Sequence, residues 1–115
     1  MTNPDLLEQK CTPKAQALSA AEVEQQIASL DGWALDNGKI VREFKFGDYY
    51  ETLAFINAIA YVIHAEDHHP ELVVTFNRCI VRFDTHSVNN GKGGLSINDF
   101  ICATKVNAIY QQSFS

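Results

Sequence analysis

Asp36-Asn37-Gly38 stands between two short strand-like runs, Trp33 to Leu35 and Lys39 to Phe46, and narrows the possible folds more than any other segment. Asn-Gly tolerates positive φ in a tight turn, so the two runs are predicted to form an antiparallel hairpin. In the second run Ile40, Arg42, Phe44 and Phe46 share one face, with Val41, Glu43 and Lys45 opposite. Only Arg42 and Val41 break an alternation that otherwise gives the strand one face to bury. A second pair of runs, Leu72 to Phe76 and Cys79 to Thr85, is joined at Asn77-Arg78.

Helical signals occupy the intervals. Ser19 with Glu22 three residues on is a capping box, followed by Val23, Ile27 and Leu30 on one helical face, with an end expected near Asp31-Gly32. Asp48 is an N-cap for a longer helix in which Leu53, Ile56, Ala60 and Ile63 recur at helical spacing, joined by Phe55, Ile59 and Val62. That helix must stop before Pro70, because the residue preceding a proline disfavours helical backbone. Ser96 and Asp99 open a last helix whose Phe100, Ala103, Val106 and Ile109 or Tyr110 would face inward. The order helix, two strands, helix, two strands, helix predicts an α+β fold, a four-stranded antiparallel sheet with helices packed on one face. Residues 1–17, with Pro4 and Pro13 and no periodicity, are expected to be a loosely attached, flexible arm before a single domain, 18–115.

A chain of 115 residues supports one core and not two. The formal charge of -5, with the basic residues scattered, argues against nucleic-acid binding. No run approaches the roughly 20 apolar residues of a membrane span. The polar start lacks the apolar block of a secretory signal, so the expected location is the cytoplasm. Cys11, Cys79 and Cys102, odd in number and far apart in sequence, fit neither a disulfide framework nor a zinc knuckle and read as reduced structural thiols. Trp33 after Gly32 reads as a core aromatic.

Chemistry points to the histidines. His64, His68 and His69 lie within six positions, and His86 follows the last strand. Imidazoles give or take protons near neutral pH. His68-His69-Pro70 marks a helix–strand junction, and antiparallel pairing of the last two strands returns the His86 end towards it. Two distant sequence positions therefore converge. The spacing of His64 and His68 also suits two metal ligands, with Glu66, Asp67 or His86 to complete a set, but His-Glu-x-x-His and a cysteine ligand are both missing. Asn89-Asn90-Gly91-Lys92-Gly93-Gly94 superficially suggests a phosphate cradle, yet it has neither the P-loop ending nor dinucleotide-fingerprint spacing, and a flexible connection is the better reading. Ser87 and Thr85 sit on no nucleophile elbow.

His68-His69-Pro70, five residues, Phe76, nine residues and His86, followed by Asp99, resembles the signature of the pterin-4a-carbinolamine dehydratase family. Leu18-Ser19, Gly32-Trp33, Arg42-x-Phe44-x-Phe46, Ala54-Phe55, Gly94-Leu95-Ser96 and Asn98-Asp99-Phe100 also fall in that family's order, over about residues 18–110. The resemblance implies a hydro-lyase that eliminates water from 4a-hydroxytetrahydropterin to give quinonoid dihydropterin, with no redox cofactor and no metal. It implies catalytic roles for His68, His69 and His86, and pterin contacts from Asp67, His68, His69, Asp84, Thr85, His86 and Ser87. It further implies a homodimer or homotetramer and functional coupling to an aromatic amino-acid hydroxylase. The alternative is a non-catalytic dimerisation or binding module of the same fold, since some relatives of this kind are partners of a transcription factor. Two departures stand out: His64 occupies the family's usual glutamate position, which implies weaker activity or a shifted pH optimum, and the loop over 87–94 is longer than usual.

Overall fold

The computed structural model describes residues 4–114. Its elements are α1 (Pro4–Glu8), α2 (Ala20–Ala28), β1 (Ala34–Asp36), β2 (Lys39–Lys45), α3 (Tyr49–Glu66), β3 (Glu71–Val74), β4 (Arg78–Phe83) and α4 (Ile97–Ser113). The α+β reading holds, with short α1 added ahead of the expected order. All strand pairs are antiparallel and the sheet order is β1-β2-β4-β3. The last strand thus lies inside the sheet, beside β2, while β3 takes an edge.

Local chemistry sets the boundaries. Asn37 and Gly38 both adopt positive φ in the β1–β2 turn, the conformation that Asn-Gly favours. The capping boxes of Ser19 with Glu22 and Ser96 with Asp99 are both formed, and Asp48 caps α3 by accepting from the Glu51 N–H. α2 is shorter than expected, ending at Ala28. α3 closes at Asp67, which takes the left-handed conformation that turns the chain before Pro70.

One face of the sheet carries the core. Ile40, Phe44, Cys79, Val81 and Phe83 are fully buried beneath α3 and α4, while Glu43, Lys45 and Arg78 lie on the open face. Phe44 packs on Trp33, Phe55 and Tyr110 with centroids 4.8–6.1 Å apart. Trp33 is the core aromatic its sequence setting suggested, and its indole N–H donates to Asn107 Oδ1 at 2.8 Å. Arg42, the exception in the β2 alternation, sends its guanidinium across Phe44 and Tyr110 to donate to the same Asn107 oxygen and to the Asp31 carbonyl. Gly32 is required beneath it: φ is +83°, and a Cβ would meet the guanidinium at 2.6 Å.

The α3 stripe divides. Phe55, Ile59 and Val62 are buried, whereas Leu53 and Ala60 of the expected row lie on the exposed side with Tyr50 and Tyr61. α4 is enclosed nearly all round, Phe100 to Thr104 being buried without a break. Its second cover is the N-terminal segment. The expectation of a loose arm falls partly outside the described residues, at 1–3. From α1 onward, the segment is held by buried Leu6, by the Cys11 N–H donating to Glu66 Oε1 at 2.8 Å, and by Asn98, whose side chain bonds both the N–H and the carbonyl of Thr12.

Glu66 is itself buried and also accepts from Lys105 Nζ at 2.6 Å. Burial pushes its carboxyl up, but the Lys105 ammonium and the Cys11 N–H outweigh that and leave it below the ordinary carboxylate value.

Two outcomes follow for stability. Asn107→Ala strands the buried Trp33 N–H, and chemical denaturation should register a loss of about 2–3 kcal/mol. For Glu66, a depressed folded-state value means its contribution is present above the unfolded value of about 4.3 and is lost as pH falls through the folded one. The difference in urea midpoint between wild type and Glu66→Gln should therefore shrink from pH 6 to pH 3. A gap that stays constant with pH would rule out the ionised pair.

Candidate active site

The site is assembled where α3 gives way to β3 and β4 gives way to the 86–94 loop. Pairing of Glu71 with Arg82 sets these two ends side by side. His68 turns inward there. Its ring stacks on Phe83, with centroids 5.8 Å apart and planes 4° apart, and only 11% of its side chain is exposed. Its Nε2 lies 2.6 Å from Oδ1 of Asp99, which is completely buried.

Asp99 gathers donors from three elements. Its Oδ2 accepts from the Thr85 hydroxyl at 2.8 Å and from the Ser96 N–H at 2.9 Å. The Thr85 and Ser96 hydroxyls are themselves 2.8 Å apart. Since Thr85 gives its proton to Asp99, Ser96 must supply the one between the hydroxyls, and Ser96 Oγ in turn accepts from the Asn98 N–H. Oδ2 already accepts two donors, and a carboxylate only accepts, so the proton of the short contact is assigned to His68 Nε2. The imidazole is then left with Nδ1 as its variable nitrogen.

The other two histidines differ. His69 is 74% exposed, its Nε2 3.4 Å from Asp67, and His86 is 82% exposed, its Nε2 3.7 Å from Asp84. Exposed pairs of this kind fix a ring only weakly. The fold thus brings His68 onto the end of β4 and leaves the His69 and His86 rings largely in solvent beside carboxylates of their own segments. Asp67 and Ser87 are exposed, Asp84 is half-buried and Thr85 is buried. A cleft of about 250 Å³ reaches Asp67 and is lined by Cys11, Thr12, Pro13, Ala65, Glu66 and Asn98.

From sequence Asp99 is a capping residue at the end of a signature, with no sign of Phe83 beside His68 or of the Thr85 and Ser96 donors on its own carboxylate. A residue that closes a capping box has one carboxylate oxygen to spare, which was the available signal for Asp99. Phe83 had none beyond being an inward strand position. Among the described residues no three metal-ligating side chains gather as a potential ion site. Glu66 points to Lys105 and Cys11, and His68 Nε2 is engaged by Asp99. The 86–94 loop is closed by a bridge between Thr85 and Gly94 and anchored by buried Val88. Asn89, Asn90, Gly91 and Gly93 supply its left-handed turns. Among the described residues no helix is long and apolar enough to cross a membrane.

Comparison with known proteins identifies the family and the fold. The sequence model described as pterin 4 alpha carbinolamine dehydratase matches residues 16–109. A protein of Bdellovibrio bacteriovorus named "Putative pterin-4-alpha-carbinolamine dehydratase" is 51% identical over 115 residues, covering 100% of this chain and 96% of that one. One of the same name from Nitrosomonas europaea is 46% identical, covering 96% and 99%. The crystal structure of a transcriptional coactivator/pterin dehydratase from Brucella melitensis superposes with a TM-score of 0.74 at 35% identity, over 81% of this chain and 97% of the other. With the family's sequence model matched across most of its length and relatives this similar from end to end, the chain belongs to the pterin 4 alpha carbinolamine dehydratase family.

Proposed function

We propose that this protein dehydrates 4a-hydroxytetrahydropterin to quinonoid dihydropterin by acid/base chemistry of His68, His69 and His86, without a metal or a redox cofactor. The short contact between His68 and buried Asp99 carries the reading. Asp99 fixes the tautomer and stabilises the positive charge that develops when Nδ1 takes a proton, as a buried carboxylate does for a catalytic imidazole elsewhere. In the elimination the C4a–O bond breaks, a ring N–H proton passes to a base, the N–H electron pair becomes the new C=N bond, and an acid protonates the departing hydroxide to water. His68 is held ready for one of these transfers. His69 and His86, both open to solvent, are free to meet the other side of a bound pterin. Asp67, Asp84, Thr85 and Ser87 lie on the same two segments and would orient the ring system.

The setting follows from the same reading: a cytosolic enzyme acting after an aromatic amino-acid hydroxylase. Assembly as a homodimer or homotetramer is supported by the α3 face, which carries Tyr50 80% and Tyr61 75% exposed, and by the β3 edge, which no described strand pairs. A second reading, a binding module without catalysis, draws on the double name of the Brucella melitensis relative. Retention of an inward, carboxylate-paired imidazole favours the enzyme.

Stopped-flow assay of 4a-hydroxytetrahydropterin dehydration decides between them. His68→Ala should lower the rate by about 10²–10⁴-fold in a chain that still folds but melts at a lower temperature, and His69→Ala and His86→Ala should lower the rate by measurable factors with circular dichroism unchanged. Undiminished rates in all three variants would falsify the assignment, and a wild-type chain without activity would favour the binding module.

A further inference from the structure

Cys11 and Cys102 are 91 residues apart in sequence, yet their sulfurs lie 3.5 Å from each other. Both are free thiols. Cys102 sits fully buried on α4, and Cys11 sits half-buried on the irregular segment that α4, Glu66 and Asn98 hold in place. From this juxtaposition we infer that Cys11 and Cys102 form an oxidisable dithiol, a modification site whose disulfide latches the N-terminal segment onto α4. The inference does not depend on the pterin reading.

The two thiols are placed for different parts. Cys11 donates its S–H to the Asn98 carbonyl at 3.6 Å, which leaves Cys102 as the donor in the contact between the two sulfurs. That hydrogen bond, burial and the nearby Glu66 and Asp99 carboxylates all push the Cys102 thiol far up, so it keeps its proton. Cys11 is the half-buried residue of the pair and lines the cleft that reaches Asp67, so nucleophilic attack on an oxidant begins there. With a peroxide as oxidant, the Cys11 sulfur takes the terminal oxygen, the O–O bond breaks, and one water leaves behind a sulfenic acid. The Cys102 sulfur then attacks Cys11, its proton goes to the departing hydroxide, the S–O bond breaks and a second water is released. Two thiols become one disulfide, and one peroxide becomes two waters. The sulfurs must close by more than an ångström, to about 2.05 Å. The Cys11 side can supply that movement, because its segment is outside regular structure. Cys79, sealed inside the sheet with burial pushing its thiol up to about 11, is the built-in unreactive control.

The test treats the purified full chain with a slight excess of hydrogen peroxide and maps the thiols by mass spectrometry. The expected product is monomeric in covalent terms, lighter by two hydrogens, with Cys11 and Cys102 in one linked peptide and Cys79 still free. Its melting temperature should rise by roughly 10 °C or more, because the link closes most of the chain into a loop, and dithiothreitol should reverse the rise. Cys102→Ala should instead carry Cys11 to the sulfinic acid, and Cys11→Ser should leave Cys102 unreacted. The proposal is overturned if wild type gives sulfinic Cys11 beside free Cys102, if chains become cross-linked through Cys11, or if Cys102 oxidises in Cys11→Ser.

Discussion

A buried carboxylate is costly unless donors meet both of its oxygens, and the Asp99 side chain meets that condition with groups from three different parts of the chain. Its partners are His68 from the α3–β3 corner, the Thr85 hydroxyl from the end of β4, and the Ser96 N–H from the start of its own helix. The contact does more than tie the corner down. Removing any one donor would leave negative charge unsatisfied in the interior, so the three elements hold one another in register. The imidazole that results has a single tautomer and a single orientation, before any substrate arrives.

The same helix is shared by two further polar arrangements. Asn98, one residue before Asp99, grips Thr12 by both of its backbone groups, while Glu66, two residues before His68, binds the Cys11 N–H and the Lys105 ammonium. The N-terminal segment is thus held by side chains adjacent in sequence to the His68–Asp99 pair. Loosening the segment and loosening the site draw on overlapping contacts, and the thiol pair sits where a covalent link would affect both.

The exposed face of α3 and the β3 edge have a different character. Leu53, Tyr50 and Tyr61 on the helix, and Val73, Val74 and Phe76 at the sheet, remain in water although the core beneath them is closed. Apolar surface of this extent is costly to hydrate. Of the histidines at the α3–β3 corner and the end of β4, His69 and His86 also remain open, so this region presents one fixed imidazole and two adaptable ones.

Local chemistry made much of the architecture legible. Asn37-Gly38 determined a hairpin, the Ser19, Asp48 and Ser96 caps determined three helix starts, and Pro70 determined a helix end, because each depends on neighbours within a few residues. Clustered histidines at a junction likewise singled out the corner where His68 meets Asp99. Strand order was different: placing β4 between β2 and β3 depends on which hydrophobic faces meet, and no local signal encodes that. Long-range pairing also decided that Asp99 meets His68, that Arg42 is accommodated over Phe44, that the segment read as a loose arm is gripped from Cys11 to Thr12, and that two cysteines far apart in sequence are neighbours. Sequence spacing carries information across a helical turn or a hairpin. Partners separated by tens of residues are chosen by how the buried surfaces pack, and only the folded chain makes that choice.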